Sequence, residues 1–282
     1  MSSTGSSTPS FETDAVYQGP EYREAALRPL DPLVHADPLR PRLAYRLVFG
    51  LLRLLVRLLF AFRVVGVENI PPGPFLIASN HQAWFDTAFI VAAFPKLPMI
   101  YTMARRDTVF NRRWKRWLVP RLGVFPIQPR QGELDESGVA SVYQVLKRGG
   151  AVLIFPEGRY SRGRELRPLR KGVGHFALQA GVPIIPVAIS GVDRLRLRGH
   201  VEVSIGPPIR PDPPRWWNLN RRVLLIVDSV RGAILTALDR NGQAARPGRL
   251  QRLRTRFRRG LRRRPAEALP APAEFPQKGR PA

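Results

Sequence analysis

Between residues 63 and 207, short apolar runs alternate with longer amphipathic ones, the pattern of a β-sheet covered by helices. The short runs, at 75–78, 99–103, 124–128, 151–155, 184–189 and 201–205, are flanked by turn formers and predict strands. Residues 137–148 place Val139, Val142, Val145 and Leu146 on one helical face, and Gly149 supplies a stop. A last helix is predicted over 219–238, where Val223, Leu224, Val227, Val230, Ile234 and Leu238 recur at helical spacing, as core packing requires. The fold expected is α/β: a single domain with a mixed, largely parallel central sheet flanked by helices. No repeat of the kind that builds solenoids or propellers interrupts it.

Residues 43–65, LAYRLVFGLLRLLVRLLFAFRVV, are the most apolar run in the chain. Arg46, Arg53 and Arg57 stand seven and four residues apart, so at helical pitch they share one stripe, with Leu, Val and Phe covering the rest. An arginine at the centre of a bilayer costs about 2.5–3.5 kcal/mol even on a lenient scale. The expectation is therefore an N-terminal amphipathic helix that lies on an anionic membrane surface rather than crossing it. A helix packed on the protein's own core and a tilted single span are the competing readings of the same pattern.

These patterns divide the chain into a leader rich in Ser and Pro at 1–41, an interfacial helix at 42–66, a domain at 67–240, and a basic, Pro/Ala-rich tail at 241–282. Residues 240–264 continue the basic theme, with Leu250, Leu253, Phe257 and Leu261 at roughly helical spacing. That stretch suits either a second interfacial helix or a solvated tail. No cationic segment runs directly into an apolar core and a cleavage site near residue 1, so no secretory signal is read, and the domain is expected on the cytoplasmic face of a membrane.

A formal charge of +25 over 282 residues draws polyanions: nucleic acid, anionic lipid headgroups or phosphorylated small molecules. Nucleic acid is disfavoured, because no binding motif occurs and no strand interleaves aromatic with basic residues. The chain has no cysteine, which excludes disulfides, thiolate nucleophiles and sulfur-ligated zinc. No metal site or cofactor is expected.

The chemistry-bearing residues begin where the first predicted strand ends, at Asn80-His81, with Asp86 five residues after the histidine. On one continuous helix that interval diverges by about 140°. The two side chains converge only with His81 in a strand-to-helix turn and Asp86 in the first helical turn. A carboxylate there is favoured by the helix dipole and can fix one imidazole tautomer, leaving the other nitrogen to take a proton from an alcohol. A covalent enzyme intermediate would need a hydroxyl such as Ser79, buried in its strand; direct attack by a substrate hydroxyl is simpler. A second cluster, Phe155-Pro156-Glu157-Gly158-Arg159, follows a buried strand and runs into a loop bearing Arg162, Arg164, Arg167, Arg170 and Lys171.

Four motifs in this order resemble the glycerophospholipid acyltransferases, of the lysophosphatidate (1-acylglycerol-3-phosphate) acyltransferase type. Residues 80–86 match the family's NHxxxxD block, 123–130 resemble its Gly-aromatic-to-Arg block, 155–160 its FPEGTR block, and 182–187 match VPIIPV. The resemblance covers roughly residues 75–205. It implies that His81 is the catalytic base and Asp86 its orienting partner. It also implies that Arg130, Glu157 and Gly158, with Arg159 beside them, bind the acceptor's glycerol phosphate. The co-substrate would be acyl-CoA or acyl carrier protein, an acyl thioester donor, and the acceptor a lysophospholipid. Arg130 could grip a phosphate by paired hydrogen bonds, and Gly158 lets backbone approach an anion. Glu157 would repel a phosphate, so it is expected to bind a hydroxyl or to hold a neighbouring arginine. Arg159-Tyr160 stands where Thr-Arg is usual, and Pro129 makes the second block one residue longer. The 182–187 run reads as a buried strand whose prolines limit edge pairing, with no chemistry assigned.

Overall fold

The apolar runs become strands of one sheet in the computed structural model, which describes Glu24 and residues 37–128, 136–161, 165–214 and 216–241. Helix α1 (Leu43–Leu59) leads into β1 (Ala61–Val65), β2 (Phe75–Ser79), α2 (Asp86–Ala93) and β3 (Ile100–Arg105). Two short helices, α3 (Arg106–Val109) and α4 (Arg113–Leu118), precede β4 (Val124–Ile127), α5 (Glu136–Lys147) and β5 (Ala151–Ile154). Then come α6 (Gly172–Ala180), β6 (Ile184–Ser190), β7 (His200–Ile205) and α7 (Leu219–Arg240). Among the described residues seven strands form one sheet in the order β1-β7-β6-β2-β5-β3-β4. Every neighbouring pair is parallel except β6 with β7, so the sheet is mixed and largely parallel.

Strands β2, β5 and β6 are buried along their whole length, and for that reason their sequences are continuous apolar runs instead of alternating ones. Leu76, Ala78, Val152, Ile154 and Ile184 point to the face covered by α5, α6 and α7. Phe75, Ile77, Leu153, Ile185 and Val187 point to the other, where Phe89 and Ile90 of α2 and Val56 of α1 close the core. The prolines of 182–187 do not mark an edge: β6 lies between β2 and β7. Pro186 falls in the gap between the Val187–Ile205 pair and the Ile184–Ile209 bridge, where a missing N–H is tolerated.

Residues 61–65, expected as the end of the amphipathic helix, are a strand instead. The helix stops at Leu59 because Phe60 is extended (φ −132°), and β1 pairs with β7 from Ala61↔His200 to Val65↔Ser204. Ala-Phe-Arg-Val-Val is rich in aromatic and β-branched residues that suit a half-exposed pleat, and its pairing satisfies the otherwise open edge of β7. The sheet therefore begins at Ala61, within the segment assigned from sequence to the helix. The tail at 242–282 and most of the leader lie outside the described residues.

Helix α1 is apolar on two sides. Tyr45, Phe49 and Val56 are buried against the domain, and burial pushes the Tyr45 phenol up to about 12 despite its hydrogen bond with the Ile100 backbone. Leu43, Leu47, Leu51, Leu54 and Leu58 lie on the far side, between 54% and 67% exposed. Arg46 and Arg57 are exposed at the border between these sides, and Arg53 is half-buried. Among the described residues no helix is long and apolar enough to cross a membrane.

Gly66, which turns the chain out of β1, has φ 83°, and a Cβ there would lie 2.0 Å from the Ile205 carbonyl oxygen. Gly66→Ala is expected to destabilise the fold by at least about 1–3 kcal/mol from the backbone conformation alone, with the collision adding to it. Urea unfolding of the two proteins measures the difference; equal midpoints would show that β1 can part from β7 without cost.

Candidate active site

The connection leaving β2 runs to α2 on one face of the sheet, and the connection leaving β5 reaches α6 on the other. Neighbouring parallel strands whose chains part in this way open a crevice at their carboxyl ends, the place where open α/β sheets hold ligands. His81 follows β2 there, and Glu157 follows β5.

Asn80 sets the position of the turn. Its side chain is buried and replaces a rung of ladder: Nδ2 donates to the Ile189 carbonyl at 3.0 Å, and the Ile189 N–H donates to Oδ1 at 2.8 Å. The amide thereby fastens the end of β2 to β6 just before His81. Its place in the sequence block marked it as a motif residue but gave no hint of this partner.

Asp86 opens α2 and is fully buried. Its Oδ2 lies 2.8 Å from His81 Nδ1 and accepts the backbone N–H groups of Gln82 at 2.5 Å and Ala83 at 2.9 Å. The turn between strand and helix thus folds around one carboxylate oxygen. Since an ionised carboxylate only accepts, His81 presents Nδ1–H to it and keeps the Nε2 lone pair free. The imidazole, 16% exposed, stacks on Phe155 with centroids 3.8 Å apart and planes at 12°, and the Tyr160 ring lies 4.3 Å away at 48°.

Glu157 lies against the turn that carries His81. Its buried carboxylate accepts the His81 backbone N–H at 2.7 Å through Oε1 and the Arg167 backbone N–H at 2.9 Å through Oε2. The Ser161 N–H donates to the His81 carbonyl at 2.7 Å. The Ser161 hydroxyl stands 2.9 Å from that carbonyl and 3.0 Å from Glu157 Oε2, within reach of either acceptor. Both backbone groups of His81 are therefore held by the loop after β5. Glu157 also holds a neighbouring arginine, by the Arg167 backbone.

Gly158 has φ 68°, and a Cβ on it would meet Arg170 Nε at 2.4 Å, so the Arg170 side chain lies directly against this glycine. The Arg170 N–H donates to the Pro156 carbonyl at 2.8 Å. Arg159 is exposed in the same loop, and Arg130 lies outside the described residues. Sequence reasoning counted Arg170 only as part of a basic run and missed Ser161, which carries no local signal. Tyr160 was visible as a departure from the family motif, but its contact with His81 was not. Among the described residues no group of three metal-ligating side chains comes together.

Residues 61–190 match the protein-family description "Acyltransferase". The solved structure of the 1-acyl-sn-glycerophosphate (LPA) acyltransferase PlsC from Thermotoga maritima shares the fold, with a TM-score of 0.55 over 73% of this chain and 83% of that one at 19% identity. The fold is thus a mixed α/β sheet like that of the solved structure, and residues 61–190 resemble an acyltransferase domain. Among the sequence relatives are proteins named 1-acyl-sn-glycerol-3-phosphate acyltransferases, to which this chain is similar. The 1-acyl-sn-glycerol-3-phosphate acyltransferase of Saccharomyces cerevisiae is 31% identical over 143 residues, 47% of this chain and 44% of that protein. The chloroplastic enzyme of that name from Brassica napus is 26% identical over 52% of this chain and 44% of its own length. The human alpha form is 27% identical over 67% of this chain and 68% of its own. The chain thus spans less than half the length of the plant and yeast relatives.

Two substitutions test the framework. Asn80→Ala leaves both backbone groups of Ile189 unpaired in the core, at about 1–3 kcal/mol each, and should lower the thermal midpoint clearly. Glu157→Gln replaces an all-acceptor group with one that faces an N–H with an N–H. Hydrogen exchange at the His81 amide should then quicken by about tenfold or more; unchanged protection would mean that the carboxylate does not hold that amide.

Proposed function

We propose that the protein transfers a fatty acyl group from an acyl thioester, acyl-CoA or acyl carrier protein, to the free hydroxyl of a lysophospholipid. The acceptor favoured is 1-acyl-sn-glycerol 3-phosphate, giving phosphatidate. The observation that carries this reading is the 2.8 Å contact between His81 Nδ1 and the buried Asp86 carboxylate at the crevice. It leaves Nε2 as a base at the mouth of the site. In the proposed step Nε2 takes the proton of the acceptor hydroxyl as its oxygen attacks the thioester carbonyl. The C–O bond forms, the C–S bond breaks, and the departing thiolate takes the proton back from the imidazolium. Asp86 holds the ring and stabilises its charged form.

The family resemblance supports a phosphate-bearing acceptor, and Arg159 and Arg170 supply guanidinium groups beside the loop. A second acceptor, another lipid or glycolipid hydroxyl, is favoured by Tyr160, whose half-exposed ring borders His81 where an arginine is usual.

The reaction is assigned to an anionic membrane surface on the cytoplasmic side. The solvent-facing leucines of α1 support it, since a broad leucine side bordered by Arg46 and Arg57 can sink into acyl chains while the guanidinium groups meet phosphates. Because the opposite side of α1 is packed on the domain, the surface is tested by substitution. Leu47→Asp with Leu54→Asp and Leu58→Asp should abolish co-sedimentation with phosphatidylglycerol vesicles at an unchanged melting temperature; full retention would move the attachment elsewhere.

His81→Ala is expected to lower acyl transfer about 10²–10⁴-fold. The assay offers a panel of lysolipids with both donors and reads products by mass spectrometry. Near-normal turnover by the variant would remove His81 as base, and a panel in which only non-phosphorylated acceptors react would select the second acceptor class.

A further inference from the structure

The connection from β3 to β4 leaves the sheet at the edge that holds His81, and it carries a pattern that the chemistry of acyl transfer does not use. Arg112, Arg113 and Arg116 are exposed, and no carboxylate among the described residues forms an ion pair with them. Trp114 and Trp117 are 60% and 62% exposed and lie three residues apart, on one side of α4. Lys115 Nζ sits 5.8 Å from the Trp114 ring, and the Arg121 guanidinium lies 4.2 Å over Trp117 while donating to its backbone carbonyl. Among the described residues, these two large indoles in water are each accompanied by a cation and by no burying apolar partner.

The surroundings indicate what covers them. The turn at Val119–Leu122 that ends this segment packs against α1, so the indoles and arginines stand beside the helix whose leucines face solvent. Indole joins an apolar ring to one N–H donor and settles at the headgroup level of a bilayer, whereas unpaired guanidinium groups pair with phosphates. Net positive charge next to exposed apolar surface complements an anionic lipid leaflet, and a bilayer would engage the leucines and the tryptophans together.

We propose that residues 112–121 form a second lipid-contact element, with Trp114 and Trp117 inserted among the headgroups of an anionic bilayer and Arg112, Arg113 and Arg116 on its phosphates. The proposal rests on the membrane-surface reading above and adds a contact outside α1. With two contacts the domain is held in one orientation, and the crevice edge faces the surface from which a lysolipid arrives.

The experiment uses the full chain. Of the five tryptophans, Trp84, Trp216 and Trp217 are replaced by Phe, so that fluorescence reports Trp114 and Trp117 alone. Phosphatidylcholine vesicles containing phosphatidylglycerol, with brominated acyl chains, are then added. The expected result is a blue shift and quenching of the remaining emission. In the otherwise natural chain, Arg112→Ser with Arg113→Ser and Arg116→Ser should weaken partitioning onto the anionic vesicles on the order of a hundredfold, without changing weak binding to pure phosphatidylcholine. Vesicle-bound protein whose two indoles stay unquenched overturns the proposal, as does an arginine variant that partitions like the natural chain. Fluorescence that responds to an RNA oligonucleotide and not to vesicles overturns it in favour of nucleic acid. The enzyme reading fails separately, through absence of acyl transfer by the natural chain on a detergent-dispersed acceptor, where the arginine variant should match it.

Discussion

The site depends on a hold on His81 from two directions. Asp86 fixes the ring at 2.8 Å, while Glu157 and Ser161, from a loop some 76 to 80 residues further along, fix the backbone N–H and carbonyl of the same residue. Neither hold alone orients a base. A ring tied only by Asp86 would move with its turn, and a fixed backbone without Asp86 would leave the tautomer and the side-chain rotation open. Both carboxylates are buried, so each is obliged to find donors, and each finds at least one of them among the amides of the turn that carries the histidine.

The sheet makes this meeting possible. Because β2 and β5 are adjacent and parallel, the loops that follow them begin side by side, and the diverging helices leave space above. Asn80 extends the strand pairing by one side-chain rung to β6, so the turn starts from a fixed point. Phe155 then floors the imidazole, and Tyr160 borders it. The loop after β5 is thus both the clamp on the proposed base and one wall of the space where an acceptor would enter.

Helix α1 shows how one apolar run can serve two environments. Three of its large side chains anchor it to the domain, and a leucine side is left in solvent, with arginines between the two. The readings that the sequence set against each other, packing on the core and exposure of an apolar side, describe opposite sides of one helix. Its neighbour at 112–121 repeats the combination of apolar rings and unpaired cations with tryptophan in place of leucine.

The sequence by itself determined the central strands, the helices at 137–148 and 219–238, and the turn that lets a histidine meet an aspartate five residues on. These follow from interactions among near neighbours: periodicity, turn residues and the reach of a side chain across one turn. Only the tertiary structure decided that residues 61–65 are a strand, since their pairing depends on β7, nearly half the chain away in sequence. The same holds for Glu157 and Ser161, whose identity as fasteners of His81 exists only once β2 and β5 lie together, and for Arg170, which reaches Gly158 through a gap without a Cβ. Local composition states what a segment can form, but the burial of a charge and the partner it must then take are settled by which distant segments share its space.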